Sequence, residues 1–244
     1  MQILAIDGAV ATLSVALLEG RTVRAEVCLN TGENHSLRLL TAIKDACDLT
    51  DTDLLDTDFF VCTRGPGSFT GVRIAVSTIK GLAMAANKPI VGVSSLEALA
   101  ATAISFLPFL TVYAMLDAQN GQIYAAAYQM GADSQLEPFV EERICDVGSF
   151  LSDLTSREGA IFTGSGALKY ARFIKNVFPN ALIVPAESSH IRAGTVGLLG
   201  LDKFYRGETS NFLTMAPRYL RLSEAERKFL MSDACHNKGV DNPG

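Results

Sequence analysis

No two histidines stand one helical turn apart in these 244 residues, and neither HExxH nor a cysteine–histidine cluster occurs. His35, His190 and His236 are scattered, and the position one turn beyond His35 is Leu39. That argues against a metallopeptidase, which needs paired ligands on one helix face. Gly-Lys-Ser/Thr is missing from the one glycine-rich loop, Gly65-Pro66-Gly67-Ser68-Phe69-Thr70-Gly71, so it is not a Walker A loop. Gly-x-Ser-x-Gly is missing there too, which leaves a hydrolase elbow unsupported. A basic excess is also lacking: 21 lysines and arginines face 26 aspartates and glutamates, for a net charge of −5. Such a chain is a poor candidate to grip nucleic acid by itself.

The five cysteines, Cys28, Cys47, Cys62, Cys145 and Cys235, form no CxxC pair and read as reduced thiols of a cytoplasmic protein. The N-terminus has no basic region, and its apolar run is broken at Asp7, so no export signal is expected. The uncharged stretch Ala98 to Leu116 is long enough to span a bilayer. Pro108 divides it into an alanine-rich helix and a strand-like run, so we read helix, turn and buried strand, with no membrane association.

What is present is a core-forming composition, 48% apolar, arranged as one grammar used twice. The first half reads as strands Ile3–Asp7, Thr12–Leu18 and Thr22–Leu29, then helix Asn34–Asp48, with Leu39, Leu40, Ile43 and Cys47 on one face. Strand Phe59–Cys62, helix Val72–Ala86, strand Ile90–Val93 and helix Ser95–Ala103 complete it. The second half reads as strands Thr111–Leu116, Gln122–Gln129 and Phe139–Cys145 and helix Val147–Leu154. Strand Ala160–Thr163, helix Ala167–Val177, strand Leu182–Val184 and helix Ile191–Tyr205 follow. Each first strand ends in an acid, Asp7 and Asp117. This order predicts an α/β fold of duplicated βββαβαβα units, actin-like and ribonuclease-H-like, in two lobes. The lobes are expected at 1–104 and 105–222, before a polar tail, 223–244, expected to be mobile.

Asp7 and Asp117 have two readings. Either they hold a hydrated metal against nucleotide phosphates, or each caps the turn after its strand. Gly164 and Gly166, in Thr163-Gly164-Ser165-Gly166-Ala167, would receive an adenosine or simply make a tight strand–helix turn. The glycine loop Gly65–Gly71 permits close backbone approach, and Ser68 or Thr70 is placed to cap the helix after it. That helix is unusual. Val72, Val76, Ile79, Leu82, Ala83 and Ala86 form one apolar stripe, and Ile74, Thr78, Gly81 and Ala85 a second of small, uncharged residues. Only Arg73 and Lys80 make a charged edge. Two such stripes imply burial on two sides, within the chain or against another subunit. Leu37, an extra apolar residue on the neighbouring helix, favours a subunit.

Taken together, the blocks Ile3-Leu4-Ala5-Ile6-Asp7, Gly65–Ile74, Lys80-Gly81-Leu82-Ala83, Gly92–Ala100 and Pro217-Arg218-Tyr219-Leu220-Arg221 resemble the TsaB (YeaZ) family. They cover nearly the whole chain to Arg221. One departure is Gly8, where the family usually carries threonine. The resemblance implies an actin-like fold with no catalytic residues and no metal site of its own. It implies a scaffold that pairs through its two N-terminal helices, with Leu37, Ile74, Thr78, Gly81 and Ala85 at the interface. The implied partners are TsaD, the catalytic paralogue with the HxxxH pair, the ATPase TsaE, or a second copy when the chain is alone. The complex, using ATP and magnesium, forms threonylcarbamoyladenosine beside the anticodon of tRNAs reading codons that begin with A, so tRNA is met only through the complex. The competing reading is a self-sufficient ATP-dependent phosphotransferase using Asp7, Asp117, Gly164 and Gly166.

Overall fold

The computed structural model describes residues 1–30, 35–104, 110–132, 135–154 and 159–221. The side chains of residues 35–37, Leu37 among them, and the whole 223–244 tail lie outside that description.

The first half builds β1 (Gln2–Asp7), β2 (Thr12–Glu19), β3 (Thr22–Asn30), α1 (His35–Thr50), β4 (Phe59–Thr63), α2 (Phe69–Ala86), β5 (Ile90–Val93) and α3 (Ser95–Ile104). The second builds β6 (Thr111–Asp117), β7 (Gln122–Met130), β8 (Leu136–Asp146), α4 (Val147–Ser152), β9 (Ala160–Thr163), α5 (Ser165–Lys169), α6 (Ala171–Val177), β10 (Leu182–Ile183) and α7 (Ala193–Tyr205). The expected order of elements is reproduced, with one split. The helix expected over 167–177 is two, α5 and α6, joined at Tyr170, whose φ of −102° and ψ of 20° leave the helical region.

Both sheets have one topology. The first runs β3-β2-β1-β4-β5 and the second, read from its other edge, β8-β7-β6-β9-β10. In each, the first three strands are an antiparallel meander, and the crossover strands add in parallel on the far side. β1, β4 and most of β2 and β6 are buried on both faces, as central strands flanked by helices must be.

The halves exchange a helix. α3 packs on β6 and β7, and α7 packs on β1 and β2. Here small residues allow contact: a β-carbon at Gly197 would lie 2.5 Å from Leu18, and one at Gly200 2.5 Å from Val61. α3 and α7 also meet each other, through Lys203–Glu97 at 3.1 Å and Thr102–Thr195 at 3.4 Å. One apolar core therefore runs from Ile3, Ala5 and Val61 through Leu96 and Leu99 to Val112, Ala114 and Ile161. A second, smaller core under α4–α6 holds the stacked rings of Tyr113 and Phe162.

Gly164 sits where this exchange is tightest. Its φ is +98°, and a β-carbon there would stand 2.3 Å from the Met115 carbonyl and 2.5 Å from Leu99 of α3. Gly164→Ala is therefore expected to cost about 3 kcal/mol or more, from backbone strain plus overpacking. Urea unfolding of the two chains checks this.

Candidate functional site

Asp7 ends β1 inside the protein, with no exposure to solvent. Its Oδ1 accepts the Thr63 hydroxyl at 2.5 Å and the Ala9 amide at 3.1 Å, while the buried Oδ2 has no hydrogen-bond partner among the described residues. Burial, outweighing those two bonds, pushes its pKa up to about 7. The turn after it is filled by the glycine loop. The Ala9 carbonyl accepts the Ser68 amide at 2.7 Å, and a β-carbon at Gly67 would lie 2.2 Å from that carbonyl. Gly8 in turn abuts the Gly71 carbonyl. The loop's close approach thus serves to seat α2 on β1. Ser68 caps α2, accepting the Gly71 amide at 3.2 Å, so the helix starts at Phe69, one turn earlier than the periodicity suggested.

Asp117 repeats the same local turn. Its Oδ1 accepts the Gln119 amide at 3.1 Å, as Asp7 accepts Ala9, and Lys169 holds its Oδ2 at 2.8 Å. Gly164 and Gly166 are buried against Met115. The Gly164 amide donates to Ser189 at 2.6 Å. Each of the four residues thus has a structural task in its own turn, and Cys62 beside Asp7 is a buried thiol pushed up to about 12. Cys28, Cys47, Cys62 and Cys145 are all free thiols.

The outer surface of α2 behaves differently. Val72, Ala75, Val76, Ile79 and Ala83 face the core, which accounts for its inner stripe. Ile74 and Thr78 are half-buried, and Gly81 and Ala85 are exposed. Ile74 leans on the core, so Gly81 and Ala85 report on the outer flank alone. Met84 beside them is 60% exposed. On α1, Leu39, Ala42, Ile43 and Ala46 meet the sheet, while Leu40, expected on the core face, is 61% exposed and Leu49 75%. The reason is geometric: the spacing 39, 42, 43, 46 leaves position 40 turned about one residue away from the sheet. A groove of about 590 Å³ beside this flank is floored by Leu40, Ile43, Leu54 and Leu82 and rimmed by Asp48, Asp51, Asp53 and Asp56.

Sequence reasoning missed a strap across the two lobes. Residues 211–221 return over the glycine loop: the Arg218 amide donates to the Arg64 carbonyl at 2.7 Å, and Lys80 donates to the Met215 carbonyl at 3.0 Å. The strap then grips the second lobe. Arg218 pairs with Glu142 of β8 at 2.9 Å, and Arg221 donates to the Ala118 carbonyl at 3.0 Å and to Gln122. Glu142 is the knot, since its other oxygen accepts from Ser94, which caps α3, and from Tyr128 at 3.0 Å. Burial and the Glu142 charge push the Tyr128 phenol up, keeping it a donor. The recognisable signal was Pro217-Arg218-Tyr219-Leu220-Arg221; nothing in β8 marked Glu142.

Two matched sheets, two exchanged helices and a strap across the lobes define an actin-like protein, with Gly81, Met84 and Ala85 of α2 exposed among the described residues. The family model described as "TsaD: tRNA N6-adenosine threonylcarbamoyltransferase" matches residues 27–229. A Bacillus subtilis protein, "tRNA threonylcarbamoyladenosine biosynthesis protein TsaB", is 34% identical over 234 residues, 95% of this chain and 99% of that one. The Escherichia coli protein of the same name is 42% identical over 129 residues, 53% of this chain and 55% of its own. The solved structure of YeaZ from Pseudomonas aeruginosa superimposes with a TM-score of 0.77 at 27% identity, over 90% of this chain and 99% of that one. The chain belongs to the TsaB (YeaZ) family.

Proposed function

We propose that this chain serves threonylcarbamoyladenosine formation in tRNA as a non-catalytic scaffold and activator in the cytoplasm. Its outer α1–α2 flank, with Leu37, Ile74, Thr78, Gly81 and Ala85, docks a TsaD-type catalytic subunit. A TsaE-type ATPase joins the pair, ATP and magnesium act at the level of the complex, and a second copy takes the same flank when the chain is alone. The product forms beside the anticodon of tRNAs reading codons that begin with A.

Gly81 carries this reading. A glycine inside a helix costs about 0.5–1 kcal/mol relative to alanine. Among the described residues a β-carbon at Gly81 would meet nothing within 4 Å, so their packing gains nothing from its absence. A missing side chain there suits a body beyond the described residues that comes close to α2. Gly81→Ala is thus expected to stabilise the isolated chain by up to about 1 kcal/mol while weakening pairing. Denaturant unfolding and calorimetric titration with a TsaD-type subunit read the two effects. The wild-type chain should co-elute with that subunit, and separate elution would overturn the proposal.

The phosphotransferase reading has less support. Asp7 is enclosed, with its turn occupied by Gly67 and Ser68, and offers no oxygen to a hydrated metal in this arrangement.

A further inference from the structure

Two stretches of this acidic chain contain no acid at all. Residues 59–96 and 209–221 hold Arg64, Arg73, Lys80, Lys88, Arg218 and Arg221 and none of the 26 aspartates and glutamates. The fold lays them against each other: Ser210 bridges Ile90, Met215 receives Lys80, and Arg218 binds the Arg64 backbone. Glu142 of β8 neutralises Arg218 at 2.9 Å, which leaves Arg64 and Arg73 as the exposed positive charge at this junction, on a molecule of net charge −5.

That surface carries aromatic rings. Phe69 and Tyr219 lie with ring centroids 4.6 Å apart and are 36% and 41% exposed. The Arg73 guanidinium sits 3.8 Å from the Phe69 centroid, and its Nε donates to the Tyr219 hydroxyl at 2.8 Å. Arg64 is exposed, and its guanidinium makes no ion pair or hydrogen bond among the described residues. The exposed residues between these groups, Ser68 and Thr70, are polar.

We propose that this arginine–aromatic surface, at the junction of the glycine loop and the strap, is an RNA contact. Exposed ring and guanidinium planes stack single-stranded bases, and the exposed Arg64 takes a phosphate. An acidic protein partner would use the arginines but has no need of the exposed rings, and the patch lacks the aliphatic centre of a protein interface. The inference rests on the scaffold reading, because an acidic chain gathers tRNA here only when another subunit shares the load.

The test titrates a labelled, unmodified tRNA transcript into the complex of this chain with a TsaD-type subunit, at several salt concentrations. Arg64→Glu with Arg73→Gln should weaken RNA binding about tenfold and reduce the slope of log affinity against log salt by about 1. Co-elution of the two proteins should be unchanged. Unaltered affinity and slope with co-elution intact overturn the RNA contact and leave the scaffold reading standing. Loss of co-elution with RNA affinity unchanged per assembled complex overturns it too, and makes the patch a protein contact. Should the wild-type proteins fail to pair, the scaffold reading falls, and the RNA contact that rests on it falls with it.

Discussion

Ala85→Arg is expected to leave the isolated chain folded and to weaken pairing with a TsaD-type subunit by about a hundredfold or more. Ala85 is exposed on α2, so a long charged side chain has room in the free protein. Surface changes of this kind move stability by about 0.5 kcal/mol or less. In a close helix–helix contact the same guanidinium must be desolvated without a partner and must push apart helices that small residues had brought together. Calorimetric titration gives the affinity, and thermal unfolding of the free chain gives the control. Ile74→Asp would be a poorer probe, because Ile74 also touches the core, and its loss mixes folding with pairing. If Ala85→Arg unfolds the chain, the second stripe of α2 is part of the protein's own packing.

Asp7→Asn is expected to remove a pH dependence of stability worth about 4 kcal/mol. The native pKa is about 7 against an ordinary 3.8, and each unit corresponds to about 1.36 kcal/mol. The sign follows from which state holds the proton. The native state keeps it up to about pH 7, whereas the unfolded chain releases it near 3.8. The contribution is therefore fully present below the unfolded value, declines as pH rises between the two, and is lost above the native value. Urea unfolding of both chains from pH 4 to 8 should show the wild type losing about 4 kcal/mol relative to Asp7→Asn. Other carboxylates titrate in both chains and cancel in the difference. Parallel profiles would show that the buried carboxyl is not the titrating group. Oδ2, which has no partner among the described residues, makes the point independently of pH, since a charged oxygen without a partner is costly in a core.

The order of elements was legible because periodicity and punctuation agreed. Apolar runs of four to eight residues marked the strands, and glycine or acid marked their ends. The matched acids had a local cause: Asp7 and Asp117 each accept the amide two residues on, so the same turn follows the same strand in both halves. The exchange of α3 and α7 was not legible, because an apolar helix does not say which sheet it will cover. Leu40 illustrates the limit on a single helix. Its hydrophobicity placed it with Leu39 and Ile43, but only the sheet's position decides which residues in a broad apolar arc are buried. The strap was recognised only as a motif. Arg218 and Arg221 act through Glu142 and Ala118, far away in sequence, and charge pairing at such separations leaves no periodic trace. The outer flank of α2 was visible for the opposite reason: small residues at 78, 81 and 85 form their own helical stripe whatever the tertiary fold does.

The central claim is that this chain acts by presenting that flank to a subunit that owns the reactive centre. The most direct measurement is threonylcarbamoyl transfer to an unmodified tRNA in a reconstituted mixture, with each protein omitted in turn. The account predicts no transfer by this chain alone, collapse of the rate when it is left out, and rescue by the wild type but not by Ala85→Arg. Transfer by the isolated chain at a rate comparable to the complete mixture, or an undiminished rate in its absence, would contradict it.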